Sequence, residues 1–251
     1  MRRPGMRELN LNGCSQLTDG AISGGEVSLM ESLNLNGCTK LTDVGLAAVV
    51  HYHPRLNTLE LQWCEELTDV GPLKWCKDLH TLNLTGCNRL ASVDILGTCE
   101  QLHTLTLSGC ELLTNLGDSG QGEDARPENA HDRAQWESLR ELILLECSNL
   151  LNIEALGQCK RLHTLDLSAC TGLRTVEALG GCESLQTLKL AECTGLTTVD
   201  ALSQCANLHT LDMANCTGLT TVDALSQCAK LHTVNLIGCR LLDPQWQWQQ
   251  H

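Results

Sequence analysis

One phrase recurs ten times in this chain, and that recurrence constrains the fold more than any other property of the sequence. L-x-x-L-x-L-x-x-C-x-x-L starts at Leu139, Leu162, Leu185, Leu208 and Leu231, a strict interval of 23 residues, with Met213 and Val234 each replacing one Leu. Upstream it starts at Met6, Met30, Leu56, Leu79 and Leu102. A unit this short cannot bury its apolar positions by itself. Copies must stack, and stacking turns them into successive coils of a solenoid with one continuous core. The hydrophobic fraction of 42% suffices for that core, and an aromatic fraction of 2% with no Phe means that Leu, Val, Ile, Ala and Cys must fill it.

Sixteen cysteines invite disulfides or zinc, but their register argues otherwise. Ten (Cys14, Cys38, Cys64, Cys87, Cys110, Cys147, Cys170, Cys193, Cys216, Cys239) share one place in the repeat, and six (Cys76, Cys99, Cys159, Cys182, Cys205, Cys228) stand three residues before the next copy. No C-x-x-C occurs, and two columns at opposite ends of each strand give four thiolates nowhere to converge. The expected role is a small buried group whose S–H donates to a nearby carbonyl. Free thiols point to a reducing compartment. Met1-Arg2-Arg3-Pro4-Gly5 runs into the first copy with no apolar leader, so a cytoplasmic or nuclear location is expected. No run of 18 apolar residues exists to span a membrane. A net charge of −13 disfavours phosphate backbones and suits neutral or basic protein surfaces.

Within the copy 208–230, alternation predicts a short strand at Thr210–Met213. Thr217-Gly218 is expected to make the following bend, with Gly supplying a positive φ. Leu219, Val222, Leu225 and Cys228 then recur every three residues, which suits a 3₁₀ turn or one turn of helix. Asp223 is placed to cap that turn, as are Asp94 and Asp200 in theirs. The longer copy from Met30 has room for two helical turns, roughly Val44–His51.

The stretch LNLNGCTKLTDVGLAAVVHYHPRLNTLELQWCEELTDVG resembles the cysteine-containing subclass of leucine-rich repeats, best known from F-box substrate receptors of ubiquitin ligases. Later copies, such as CTGLTTVDALSQC, look more like the compact repeats of protozoan leucine-rich proteins. The resemblance implies an α/β leucine-rich-repeat solenoid of about ten coils. Its parallel sheet would line the concave face, with short helices and 3₁₀ turns on the convex face. It also implies protein–protein recognition. The expected organisation is a single solenoid over 1–251, an inserted acidic loop at 117–138 where the interval jumps to 37 residues, and a tail or cap at 243–251 containing Trp246 and Trp248.

No nucleophile–base arrangement or phosphate-binding glycine loop stands out, so no catalytic residue, metal or cofactor is expected. A histidine column (His80, His103, His163, His209, His232) is broken by Arg140 and Gln186, and reads as solvated edge residues rather than metal ligands. Partner-binding candidates lie where the copies disagree. Trp63, with Glu60 near it, stands where other copies have Gly, Ala or a polar residue. Ile143 and Leu145 put two aliphatic groups on a face otherwise rich in Thr, Asn and Asp. Asp166, Lys189 and Asp212 form either a recognition stripe or an ion-pair ladder between strands. Trp136 replaces a column cysteine and is expected to plug the core beside the insertion. The leading expectation is a non-enzymatic interaction scaffold that grips a protein partner, of basic character, through the concave face and inserted loop. The alternatives are an assembly protein whose copies associate through an uncapped solenoid end, and a substrate adaptor of a ubiquitin ligase.

Overall fold

A computed structural model describes residues 5–23, 28–117 and 136–243. The expected tail residues Trp246 and Trp248, and most of the insertion, lie outside the described residues. Ten three-residue strands form one parallel sheet in strict chain order. They are β1 (Glu8–Asn10), β2 (Ser32–Asn34), β3 (Thr58–Glu60), β4 (Thr81–Asn83), β5 (Thr104–Thr106), β6 (Glu141–Ile143), β7 (Thr164–Asp166), β8 (Thr187–Lys189), β9 (Thr210–Asp212) and β10 (Thr233–Asn235). β9 stops one residue short of Met213, although the Met213 N–H still bonds Asn235 O of β10 at 2.8 Å.

The eight inner strands, β2 to β9, bury their central Leu, because successive side chains point to opposite faces, whereas Val234 at the centre of β10 is only partly buried. Register then stacks like on like: Leu59 pairs with Leu82, and Leu82 with Leu105. Leu59, Leu82, Leu105, Leu165, Leu188 and Leu211 are fully buried. Full burial of one such side chain contributes roughly 1.5–3 kcal/mol, so the stacked column is the main source of stability. In the first coil Leu9, Leu11 and Leu17 are only partly buried.

The outer layer changes character along the chain. The first two copies carry α1 (Asp19–Ile22) and α2 (Asp43–Tyr52). α2 covers the expected helix and starts one residue earlier, because the Thr42 hydroxyl caps it by accepting from Val44 N. Shorter copies hold five-residue 3₁₀ turns instead: Gly71–Trp75, Asp94–Thr98, Glu154–Gln158, Glu177–Gly181, Asp200–Gln204 and Asp223–Gln227. Asp94, Asp200 and Asp223 do not cap these turns. Each is the first residue of its turn, and a capping group has to precede it. Thr198 and Thr221 do precede, and their hydroxyls accept from Asp200 N and Asp223 N, both at 3.3 Å.

The bend after each strand also differs from expectation. Positive φ falls on the residue before the first-column cysteine, which is Asn215 (φ 59°) in this copy, and not on Gly218. Gly218 is needed for a different reason. A Cβ there would sit 2.7 Å from Thr194 O and 2.9 Å from Leu196 O, so only glycine lets the two coils approach.

The cysteines perform the role expected of them. In the first column each thiol from Cys38 to Cys239 donates to the carbonyl that follows the preceding coil's strand: Cys64 to Leu35, Cys87 to Leu61, Cys193 to Leu167 and Cys216 to Leu190, at 3.0–3.3 Å. In the second column Cys182, Cys205 and Cys228 donate to Leu156, Leu179 and Leu202 of the preceding 3₁₀ turn. Two ladders of S–H···O bonds therefore run along the solenoid. Trp136 is buried beside the insertion, and its indole Nε1 donates to Leu116 O at 3.2 Å. In other coils that carbonyl accepts the turn's Leu N–H, as Val93 O does from Leu96.

Candidate interaction surface

The sheet presents two side-chain columns to solvent. The first is mostly Thr, a β-branched residue suited to strands. The second holds Asn, Asp and the candidate residues, and much of it serves the backbone. Oδ1 of Asn10, Asn34, Asn83, Asp166, Asp212 and Asn235 each accepts from the N–H two residues on, at 2.9–3.2 Å. These side chains hold the chain as it leaves the strand, an Asx turn repeated coil after coil. Glu60, Thr106, Ile143 and Lys189 interrupt that pattern, so they are the positions in this column that are free to vary.

Asp166 and Lys189 are in register on β7 and β8, and Lys189 Nζ lies 3.2 Å from Asp166 Oδ2. Asp166 is buried while the lysine is half exposed. Asp212 is in register with Lys189 on its other side, with its Oδ1 accepting from Ala214 N at 3.0 Å, but the lysine's ion pair is with Asp166. Ile143, the last residue of β6, is half-buried, and Leu145, two residues beyond the strand, is 37% exposed. Residues 118–135 of the insertion lie outside the described residues.

Trp63 stands apart from its column. The equivalent positions Gly13, Gly37, Gly86, Gly109 and Gly238 are glycines with positive φ, and Trp63 adopts the same left-handed conformation at φ 58°. Its six-membered ring lies against Gly86, where any Cβ would overlap it, yet the residue stays 51% exposed. The indole therefore lies on the rim of the sheet with one side on the next coil. Glu60 is half-buried near it and accepts from Gln62 Nε2 at 3.3 Å. Glu65 and Glu66 are exposed, and Glu66 pairs with Arg89 at 2.5 Å. The left-handed column escaped the sequence reading, although the glycines before Cys14, Cys38, Cys87, Cys110 and Cys239 carry its signal.

The histidine column sits at the strand entrances. Nδ1 of His80, His103 and His163 faces the backbone carbonyl two residues earlier, at 2.5–2.6 Å. His80 and His103 stack with ring centroids 5.2 Å apart and an interplanar angle of 7°. His209 and His232 instead meet edge to face, at an interplanar angle of 66°. No helix among the described residues is long and apolar enough to cross a membrane.

A family model described as the leucine-rich-repeat domain of endo-β-N-acetylglucosaminidase EndoS matches residues 132–227. No curated protein matches the chain. Among solved structures, internalin C2 of Listeria monocytogenes is 20% identical with a TM-score of 0.54, over 88% of this chain and 84% of that one. The functional domain of InlJ from Listeria monocytogenes, described as including a cysteine ladder, is 20% identical with a TM-score of 0.61. That match covers 94% of this chain and 45% of InlJ. The mouse RP105/MD-1 complex gives 18% identity and a TM-score of 0.63, over 92% of this chain and 38% of that one. The chain thus spans less than half the length of these last two, and the likeness establishes the fold.

Proposed function

We propose that this leucine-rich-repeat solenoid is a non-enzymatic scaffold that binds a protein partner along its concave face and rim. Contacts would run from Glu60 and Trp63 on the third coil, past Ile143 and Leu145, to Asp166, Lys189 and Asp212, with the insertion at 117–138 beside them. The partner presents a basic surface, which suits Glu60, Glu65 and the net charge of −13. The ladders of S–H donors suit a reducing compartment, where thiols are not oxidised to disulfides.

Trp63 is the observation that carries this reading. A non-glycine residue in the left-handed region costs about 1–2 kcal/mol, and half of the indole lies in water. Most of the neighbouring coils use Gly at this place. An indole kept there fits a hot spot, where Trp is enriched. The decisive variant is Trp63→Gly, which restores the residue that other coils use. Partner affinity, measured by calorimetry with the partner recovered from native cells, is expected to fall at least tenfold, about 1.4 kcal/mol. The melting temperature should not fall, because glycine relieves the left-handed backbone cost. Unchanged affinity would remove the third coil from the binding surface.

A further inference from the structure

The indole of Trp63 is offered to solvent by one face and not by its edge. A Cβ built on Gly86 would lie 2.6 Å from Trp63 Cδ2, 2.7 Å from Cζ3, and closer still to Cε3 between them. Near-equal distances to the two neighbours of the closest atom arise directly above a ring, so one face of the six-membered ring covers Gly86. The opposite face carries the exposure of 51%. The platform is also held by the coils on both sides. Trp63 N donates to Thr85 O of the next coil at 2.7 Å, and Gln62 N donates to Asn36 Oδ1 of the preceding coil at 2.7 Å. A partner group that packs there costs little further ordering on this side of the contact.

The surroundings of that face are acidic and lack a free cation. From Leu56 to Leu73 the chain has no Lys or Arg and carries Glu60, Glu65, Glu66 and Asp69. Arg89 of the next coil is bonded to Glu66, and Lys40 of the preceding coil turns to Gln16 at 2.6 Å. Among the described residues neither Glu60 nor Glu65 has an ion-pair partner. Glu60 is three residues before Trp63 and Glu65 two after it, so their Cα atoms lie within about 11 and 7 Å of it. The indole of Trp75 makes the contrast. Lys74 Nζ lies 5.1 Å from that ring centroid, so the chain itself supplies the cation there. At Trp63 the ring face and two carboxylates are left without one. A guanidinium satisfies both features at once. It is planar and weakly hydrated, so it stacks on an indole, while its N–H groups point outward in the plane toward carboxylates.

We propose that the outer face of Trp63 receives an arginine side chain of the protein partner, stacked on the indole with its guanidinium edge turned to the carboxylates of Glu60 and Glu65. This contact presupposes the binding role of the rim proposed above, and it gives the basic partner a defined chemistry there.

The test is a displayed library of random 12-residue peptides selected on the full chain. Synthetic versions of the enriched peptides are then measured on the wild type and on Trp63→Gly. Peptides that lose about tenfold or more on Trp63→Gly are expected to share an Arg. Replacing that Arg by citrulline, which keeps the plane and loses the charge, should cost about tenfold, and replacing it by Lys about threefold or more. Glu60→Gln combined with Glu65→Gln should weaken binding about tenfold. Glu154→Gln combined with Glu177→Gln makes the same charge change at two exposed carboxylates of the 3₁₀ turns and should leave affinity unchanged. Melting curves check that each variant is folded. Trp63-dependent peptides that carry no Arg, or that bind equally well with citrulline, would overturn the arginine contact while keeping the third coil as a binding surface. Equal losses with the Glu154 and Glu177 pair would overturn it in favour of net charge alone. A selection that yields no peptide, or only peptides that bind Trp63→Gly as tightly as the wild type, would overturn both the arginine contact and the binding role of Trp63.

Discussion

A single backbone conformation recurs before each first-column cysteine, and its cost depends on the residue that adopts it. Glycine has no Cβ to clash at positive φ, whereas Trp63, Glu146, Ala169, Glu192 and Asn215 bear the strain. Gly86 is doubly constrained, because its φ is 74° and Trp63 covers the space a side chain would need. Gly86→Ala is therefore expected to destabilise by more than the roughly 1–2 kcal/mol of the left-handed conformation alone. Adding Trp63→Gly should recover the excess and leave only the backbone cost. Equal stability losses in the single and double variants, measured by urea denaturation, would show that the indole does not press on Gly86.

Between elements, the L-T-D segment is a coupling device. The Asp19 carboxylate accepts from Thr42 N and Thr42 Oγ1 at 2.9 and 2.7 Å. Asp43 in turn accepts from Thr68 N, Thr68 Oγ1 and Asp69 N at 2.8, 2.6 and 3.0 Å. Each helix start thus holds the loop of the next coil. Partial burial of Asp43 works against its charge, but the Thr68 hydroxyl, the two N–H groups and the Arg89 charge outweigh it and hold its carboxyl below the usual 3.8. A depressed folded-state value means stability that is present above about pH 4 and lost as pH falls through the folded value. Asp43→Ala should cost about 1–2 kcal/mol, with solvent screening keeping it in the lower part of the range for charged hydrogen bonds. Hydrogen exchange at Thr68 and Asp69 should accelerate while amides of β8 and β9 stay protected. A uniform loss of protection along the chain would mean that Asp43 has no local coupling role.

At the scale of the whole molecule, the thiol ladders set an upper pH limit. Burial pushes Cys64, Cys76, Cys87, Cys182, Cys193 and Cys216 up to about 12 and Cys99, Cys147 and Cys205 to about 11, from an ordinary 9.0. Cys110, Cys159 and Cys170 are raised for the same reason. Above pH 9 the unfolded chain loses these protons while the folded chain keeps them. The stability they supply is complete below pH 9 and is lost as pH rises toward 11–12. Many groups titrate together, so the melting temperature should be nearly flat from pH 7 to 8.5 and fall steeply by pH 10.5. A melting temperature unchanged at pH 10.5 would contradict the ladders. The coils share one core, so this loss should appear as unfolding of the solenoid rather than of one end.

The coil count, the parallel sheet, the Leu and Cys columns and the helix in the longer copy were all legible in the sequence. Every coil repeats the same burial requirement, so ten aligned copies report it ten times. Trp136 was legible as a core residue because it interrupts a column whose burial was already established. Only the tertiary structure decided that the left-handed bend of this coil falls on Asn215, because glycine suits that conformation better and Gly218 is kept for the carbonyls of the preceding coil, which are in place only once the coils stack. It also decided that Lys189, in register with both Asp166 and Asp212, pairs with Asp166, a choice between two acceptable carboxylates for one ammonium. The groove lined by Val50, Pro54, Pro72, Trp75 and Ile95 belongs to none of the three copies that form it. It exists because coils of unequal length are stacked, and the shape of a boundary between coils is a property of their packing rather than of either repeat.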